Sequence, residues 1–220
     1  MTQSPLQRRR KPVQERSKLT QDAILEAFVR LLLEKDYTRL TIREIAAVAG
    51  VGLGTVYEHF PGKGAIAANC IHQRFKNVGT HSLACIEAMR GQPLAAIADA
   101  LLDTMVELHA EQPQQWTALI YLERRISDAE AYRSLYQYFV DIWAQAIMAS
   151  AEQVAESVAE SVAEATAREV AWVLHTAVYG MIYQTLMNRP ERIATPQFRA
   201  ELGALVHGYL ANRDAVPRLG

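Results

Sequence analysis

Apolar residues recur along this chain mostly at the three- and four-residue steps of a helix. Ile24, Ala27, Phe28, Leu31 and Leu32 fall on one face, which predicts a helix from Thr20 to about Lys35. Thr41–Glu44 (TIRE) has the form of a capping box, in which the threonine hydroxyl takes the Glu44 amide and the carboxylate reaches back. A second helix is expected from there, burying Ile42, Ile45, Ala46 and Ala49 and closed by Gly50. Val56 and Phe60 carry a short third helix, Pro61 and Gly62 end it, and a fourth runs from about Gly62 toward Thr80. Gln92-Pro93 opens a helix to about Glu111, and Gln112-Pro113 opens one carrying Trp116, Leu119, Ile120 and Leu122. Ser127–Glu130 (SDAE) reads as a second capping box, ahead of Tyr132, Leu135, Tyr136, Phe139, Ile142 and Trp143. The segment AESVAESVAEAT, Ala155–Thr166, repeats every four residues and is either helix or a frayed linker. A long apolar helix over Ala167–Met187 and a last one over Thr195–Leu210, with Pro196 in its first turn, complete the pattern. No strand-like alternation of useful length occurs, so the expected fold is all-α.

Composition sharpens this picture in one respect. The net charge of −1 hides an asymmetry. Residues 1–76 hold 13 basic and 7 acidic side chains, residues 77–220 hold 10 and 17. Such a division suggests different partners for the two parts. The densest basic run, Arg8–Lys11, lies in a polar stretch of residues 1–18 that reads as a flexible basic arm; it is either a solvated tail or an arm reaching an adjacent minor groove or phosphates. Two cysteines, Cys70 and Cys85, form neither a CxxC pair nor a disulfide framework, which fits a reducing compartment. Cys70 reads as a buried structural thiol. With no signal-peptide pattern and no apolar run of about 18 residues, a cytoplasmic protein without a membrane partner is expected.

Thr41–Ala49, the turn Gly50-Val51-Gly52 and Leu53–His59 have the spacing of a helix-turn-helix. In that motif the second helix enters the major groove by its N-terminal end. This demand accounts for glycines that each cost a helix about 0.5–1 kcal/mol relative to alanine. Gly52 falls at the cap, and Gly54 on a turn where a side chain would hold the helix off the bases. Thr55 offers a hydroxyl and a methyl suited to a phosphate or a thymine methyl. Tyr57 and His59 can donate to phosphates, and Lys63 stands at the start of the fourth helix, where an anion is also favoured. Val56 and Phe60 are assigned to the local core, and Glu58 to solvent.

The run TIREIAAVAGVGLGTVYEHFPGKGAI resembles the DNA-binding signature of the TetR family of bacterial regulators, in register from Ala23 to Ile66. The resemblance implies an N-terminal three-helix DNA-binding domain, residues 19–65, followed by a helical-bundle ligand-binding and dimerisation domain, residues 66–215. It implies a homodimer on a pseudo-palindromic double-stranded operator, acting as a repressor released by a small-molecule effector. By position, Thr41 would touch phosphate, Arg43 base or phosphate, and Leu53, Gly54 and Thr55 the base edges, while Tyr57, His59 and Lys63 hold the backbone. The sequence departs from the family at Gly52, where many members carry serine, and at Leu53, where polar residues are frequent; Leu53 implies van der Waals readout.

In the C-terminal part, a cavity mixing Met105, His109, Trp116, Tyr121, Trp143 and Tyr179 is a candidate effector site. Glu123, Arg124 and Arg125 are expected on a solvated face. Val170, Leu174, Ala177, Val178 and Met181, with Leu202, Leu205, Val206 and Tyr209, give the apolar stripes of the expected dimer helices, Ala167–Met187 and Thr195–Leu210. The alternatives are a helical-bundle enzyme or metal protein, or a regulator that answers a protein partner or activates. For the first, the signatures are missing: no HExxH, no ExxH pair, scattered histidines and no locally activated nucleophile. No catalytic residue, metal or cofactor is therefore expected.

Overall fold

The computed structural model describes residues 10–151 and 160–213, with side chains from residue 14 to 151 and from 164 to 213. Within them the chain forms nine α-helices and two short 3-10 turns. Contacts divide it into two units, one of residues up to Gln73 with Tyr121–Ile126, the other of Arg74–Ile120 with the residues from Ser127 on.

The first unit holds α1 (Arg10–Glu34), a 3-10 turn (Tyr37–Arg39), α2 (Ile42–Ala49), α3 (Leu53–His59) and the start of α4 (Lys63–Ala88). The helix α1 begins ten residues before Thr20, so residues 10–18 of the expected arm are helical; residues 1–9 lie outside the described part. Ile24, Phe28, Ile45, Val56, Phe60 and Ile66 form its fully buried centre. Each such side chain contributes about 1.5–3 kcal/mol by leaving water. Cys70 is buried here, its Sγ 3.7 Å from the Leu25 carbonyl oxygen.

The second unit holds the rest of α4, α5 (Leu94–Ala110), most of α6 (Pro113–Ile126), α7 (Ala129–Met148), α8 (Glu160–Asn188), a 3-10 turn (Pro190–Arg192) and α9 (Pro196–Asn212). The helix α8 takes in Glu160–Thr166 of the four-residue repeat, and residues 155–159 of that repeat lie outside the described part. The N-cap of α7 is Asp128, not Ser127: its carboxylate accepts from the amides of Glu130 and Ala131. Thr195 caps α9 as expected, accepting from Phe198 N. At Gly79 a Cβ would overlap the Tyr138 ring, so the glycine lets α7 lie against α4. The helix α9 is tied to α5 through Arg199, which donates to the Asp99 and Asp103 carboxylates, and through a His207–Asp99 contact of 3.0 Å. Leu174, Val178, Leu202 and Val206 are buried within the single chain, so only part of each expected stripe faces outward.

An aromatic array fills the interior of this unit. His109 stacks on Trp116 at 4.1 Å, and Phe75 meets Trp116, Phe139 and Tyr183. His175 lies against Tyr136 and Phe139. Burial pushes both imidazoles down to about 4. A histidine with its pKa lowered by folding takes a proton more readily in the unfolded chain. Each therefore withdraws stability as the pH falls from about 6.5 toward 4, by about 2 kcal/mol at pH 5. His175 Nε2 has no hydrogen-bond partner, so phenylalanine can replace the ring without orphaning a neighbour. The expected result is that His175→Phe narrows the loss of melting temperature between pH 7 and pH 5. An undiminished loss would mean that His175 is protonated in the folded chain.

Candidate nucleic-acid interface

The interface is built from α2, its turn and α3. The predicted capping box is present: Glu44 N donates to Thr41 Oγ1 at 3.3 Å, and Thr41 N donates to Glu44 Oε2 at 3.0 Å. Lys35 Nζ donates to the other carboxylate oxygen at 2.7 Å. Lys35 first, and then Thr41, hold the Glu44 carboxyl at about 2, so this clasp is ionised at neutral and mildly acidic pH. It fixes the start of α2, and with it Thr41 and Arg43, which are both exposed.

Gly50 ends α2 with φ +68°, and its amide reaches the carbonyls of Ala46 and Ala47. An L side chain in that left-handed conformation costs about 1–2 kcal/mol, which is why glycine stands there. Gly52 and Gly54 answer no such demand. Gly52 caps α3 at φ −67° with no side-chain hydrogen bond, and a Cβ on it would meet only Thr55 Oγ1, at 3.7 Å. A Cβ on Gly54 would meet nothing within 4 Å.

In α3, Val56 is fully buried, as is Phe60 just beyond it. At 100° per residue, Gly54 and Glu58 then lie farthest from the core. Leu53 and Tyr57 flank them on one side, Thr55 and His59 on the other. Leu53 is 39% exposed and Tyr57 52%, while Thr55 and His59 are half-buried. Thr41, Arg43, Leu53, Gly54, Thr55, Tyr57 and His59 thus share the accessible part of the motif.

Lys63 is turned to another task. Its Nζ donates to the carbonyls of Tyr37 and Leu40, each at 2.8 Å, and to that of Thr38 at 3.4 Å, and it lies 4.5 Å from the centre of the Tyr37 ring. An ammonium has three protons to donate. The three carbonyls take all of them, so the lysine expected on phosphate is a clamp on the turn that precedes α2. Asp36 adds to the same turn: its carboxylate accepts from the Thr38 amide at 2.8 Å and pairs with Arg125 at 3.4 Å. Hydrogen bonds from Thr38, more than Arg125, lower its pKa. Sequence reasoning missed the Lys35–Glu44 and Arg125–Asp36 pairs, because their members lie 9 and 89 residues apart along the chain.

Of the residues proposed for an effector cavity, Met105, His109 and Trp116 are in direct contact. Met105, His109, Trp116 and Trp143 are core side chains of the second unit. His109 Nδ1 is bonded to Met105 O, and the Trp116 indole donates to Leu108 O. Tyr179 is half-buried against Tyr183, at 3.9 Å between ring centres. Tyr121 belongs to the first unit and is 56% exposed. Glu123, expected in solvent with Arg124 and Arg125, is buried. An opening of about 350 Å³ between α4 and α7 is lined by Leu83, Ile86, Glu87, Arg90, Gln145, Met148 and Ala149, none of them on that expected set. Among the described residues no histidine, cysteine and carboxylate cluster could hold a metal, and no helix is long and apolar enough to cross a membrane.

A capped helix, a tight glycine turn and a second helix with an open outer face define a helix-turn-helix DNA-binding module. Residues 24–70 match the sequence model of a family described as bacterial regulatory proteins, tetR family. Over those residues, which hold α2, its turn and α3, the chain is similar to the DNA-binding part of that family. Its fold is that of solved structures at low identity. A chain from Pseudomonas aeruginosa PAO1 is 17% identical, with 94% of this chain and 93% of that one covered and a TM-score of 0.68. A TetR family transcription regulator from Marinobacter aquaeolei VT8 gives 15%, 88%, 96% and 0.64. SmeT, the repressor of the Stenotrophomonas maltophilia multidrug efflux pump SmeDEF, gives 18%, 86%, 88% and 0.64. No curated protein sequence matches the chain.

Proposed function

We propose that this chain is a transcription regulator of the TetR family, a repressor that binds a pseudo-palindromic operator as a homodimer and leaves it when a small molecule enters the C-terminal helices. The observation that carries the reading is the outward face of α3, where Leu53, Gly54 and Thr55 leave room for close approach to base edges. Thr41, Arg43, Tyr57 and His59 surround that face and serve the phosphates or neighbouring bases. The effector part of the reading draws on SmeT, which has also been solved in complex with triclosan. The polar and aromatic groups of α5 to α8 are the matching material here: His175 Nε2 and Trp143 Nε1 are buried without a partner, a cost of about 1–3 kcal/mol each that a ligand could offset. For the dimer, α8 and α9 offer exposed apolar side chains, Trp172 and Leu205. Two copies joined there would present two α3 helices to half-sites roughly 34–36 Å apart. An effector acts on such an assembly only through different affinity for its two states. The test is selection of bound DNA from a random pool, followed by a screen for metabolites that release it. The expected result is one enriched inverted repeat and a stoichiometry of two chains per site. Enrichment of a single, unrepeated half-site would overturn the dimer, and an operator that no metabolite releases would overturn the effector.

A further inference from the structure

The recognition helix LGTVYEH contains no arginine, lysine, asparagine or glutamine. Those four side chains make the usual bidentate contacts to guanine and adenine. What α3 offers at its leading end is Leu53, Gly54 and Thr55, and Gly54 is the one that faces straight out. With no Cβ, and with open space beyond its two chain neighbours, Gly54 leaves a notch between the side chains of those neighbours. One wall is the exposed Leu53 side chain, the other is Thr55, and both carry methyl groups. Val56, the next residue, is fully buried and closes no part of this notch. Glu58 shares the outer face, but it stands a turn further from the end that meets base edges. The chemical group in the major groove that suits an apolar notch left by a missing Cβ is the 5-methyl of thymine.

We infer that each half-site of the operator holds a thymine whose methyl seats in the notch formed by Leu53, Gly54 and Thr55, so that this helix selects its sequence by van der Waals contact. The inference rests on the DNA-binding reading and on the docking of α3 in the major groove. Its test replaces, one at a time, each thymine of the selected operator by deoxyuridine, which removes the methyl and leaves pairing unchanged. One thymine per half-site should respond, with affinity falling about fourfold for each half-site, the effect of burying one methyl. In Leu53→Ala, whose substituted side chain is exposed and outside the core, the same replacement should change affinity less than twofold. Thermal melting of Leu53→Ala, matched to the parent chain, shows that the fold is kept. Specific binding that ignores every deoxyuridine overturns the inference and leaves DNA binding standing. So does a deoxyuridine penalty that is equal in the parent chain and in Leu53→Ala. A chain that enriches no DNA at all overturns both.

Discussion

Leucine in place of Gly54 is expected to abolish specific operator binding and to leave the first unit folded. The position has ordinary helical backbone, since positive φ among the described residues occurs only at Gly50 and Gly91. It also has open space, with nothing within 4 Å of a Cβ. Glycine is the costlier choice for the helix, so the substitution should stabilise α3 by roughly 0.5–1 kcal/mol. On the DNA side the sign reverses. Four carbon atoms at the centre of the outer face would stand between α3 and the base edges, and each lost base contact costs about 1–3 kcal/mol. With both half-sites affected, binding should fall to the non-specific level, a loss of about a thousandfold or more. Gel shifts on the selected operator, beside a thermal melt, measure both quantities. Undiminished affinity in a well-folded Gly54→Leu would remove α3's outer face from the interface.

The second large effect is expected at Lys63. Lys63→Met keeps most of the aliphatic stem and removes the ammonium that serves the carbonyls of Tyr37, Thr38 and Leu40. Charge-assisted hydrogen bonds contribute about 1.5–3 kcal/mol, and part-buried carbonyls left without a donor add to the loss, so the domain should lose about 2–3 kcal/mol. Affinity for the operator should fall with it, because Leu40 leads directly into the Thr41 cap. The slope of log affinity against log salt should stay the same, since no phosphate contact is removed. A slope lowered by about one, with the melting temperature unchanged, would return Lys63 to the phosphates.

These two positions also mark where the sequence is transparent and where it is not. The capping box of α2, the Gly50 stop and the inward pair Val56 and Phe60 rest on neighbours within four residues, and spacing alone reveals them. The outer face of α3 follows from the same local geometry once its buried side is known. Lys63 stands 23 to 26 residues from its acceptors, so its local setting at a helix start suggested an anion and concealed the carbonyls. Glu123 lies among charged neighbours in sequence yet is buried, because long-range packing decides its exposure. At Ser127-Asp128 two capping residues compete side by side, and only the backbone geometry selects the aspartate. The division inside α4 and α6 has no composition change to announce it, since both helices continue through it. The aromatic residues of the second unit were legible as helical positions, but periodicity does not distinguish a packed core from the wall of a cavity.

The chain's three tryptophans occupy two kinds of surroundings. Trp116 and Trp143 are sealed in the interior of the second unit, Trp116 with an imidazole stacked on it, while Trp172 on α8 is 53% exposed. Optically this is a set of built-in labels. Emission from the sealed pair carries information about what happens among α5, α6 and α7, and collisional quenchers reach only the third. Joining of two chains over α8 and entry of a molecule into the bundle, if they take place as proposed, would therefore have separate fluorescent signatures, and neither requires a dye.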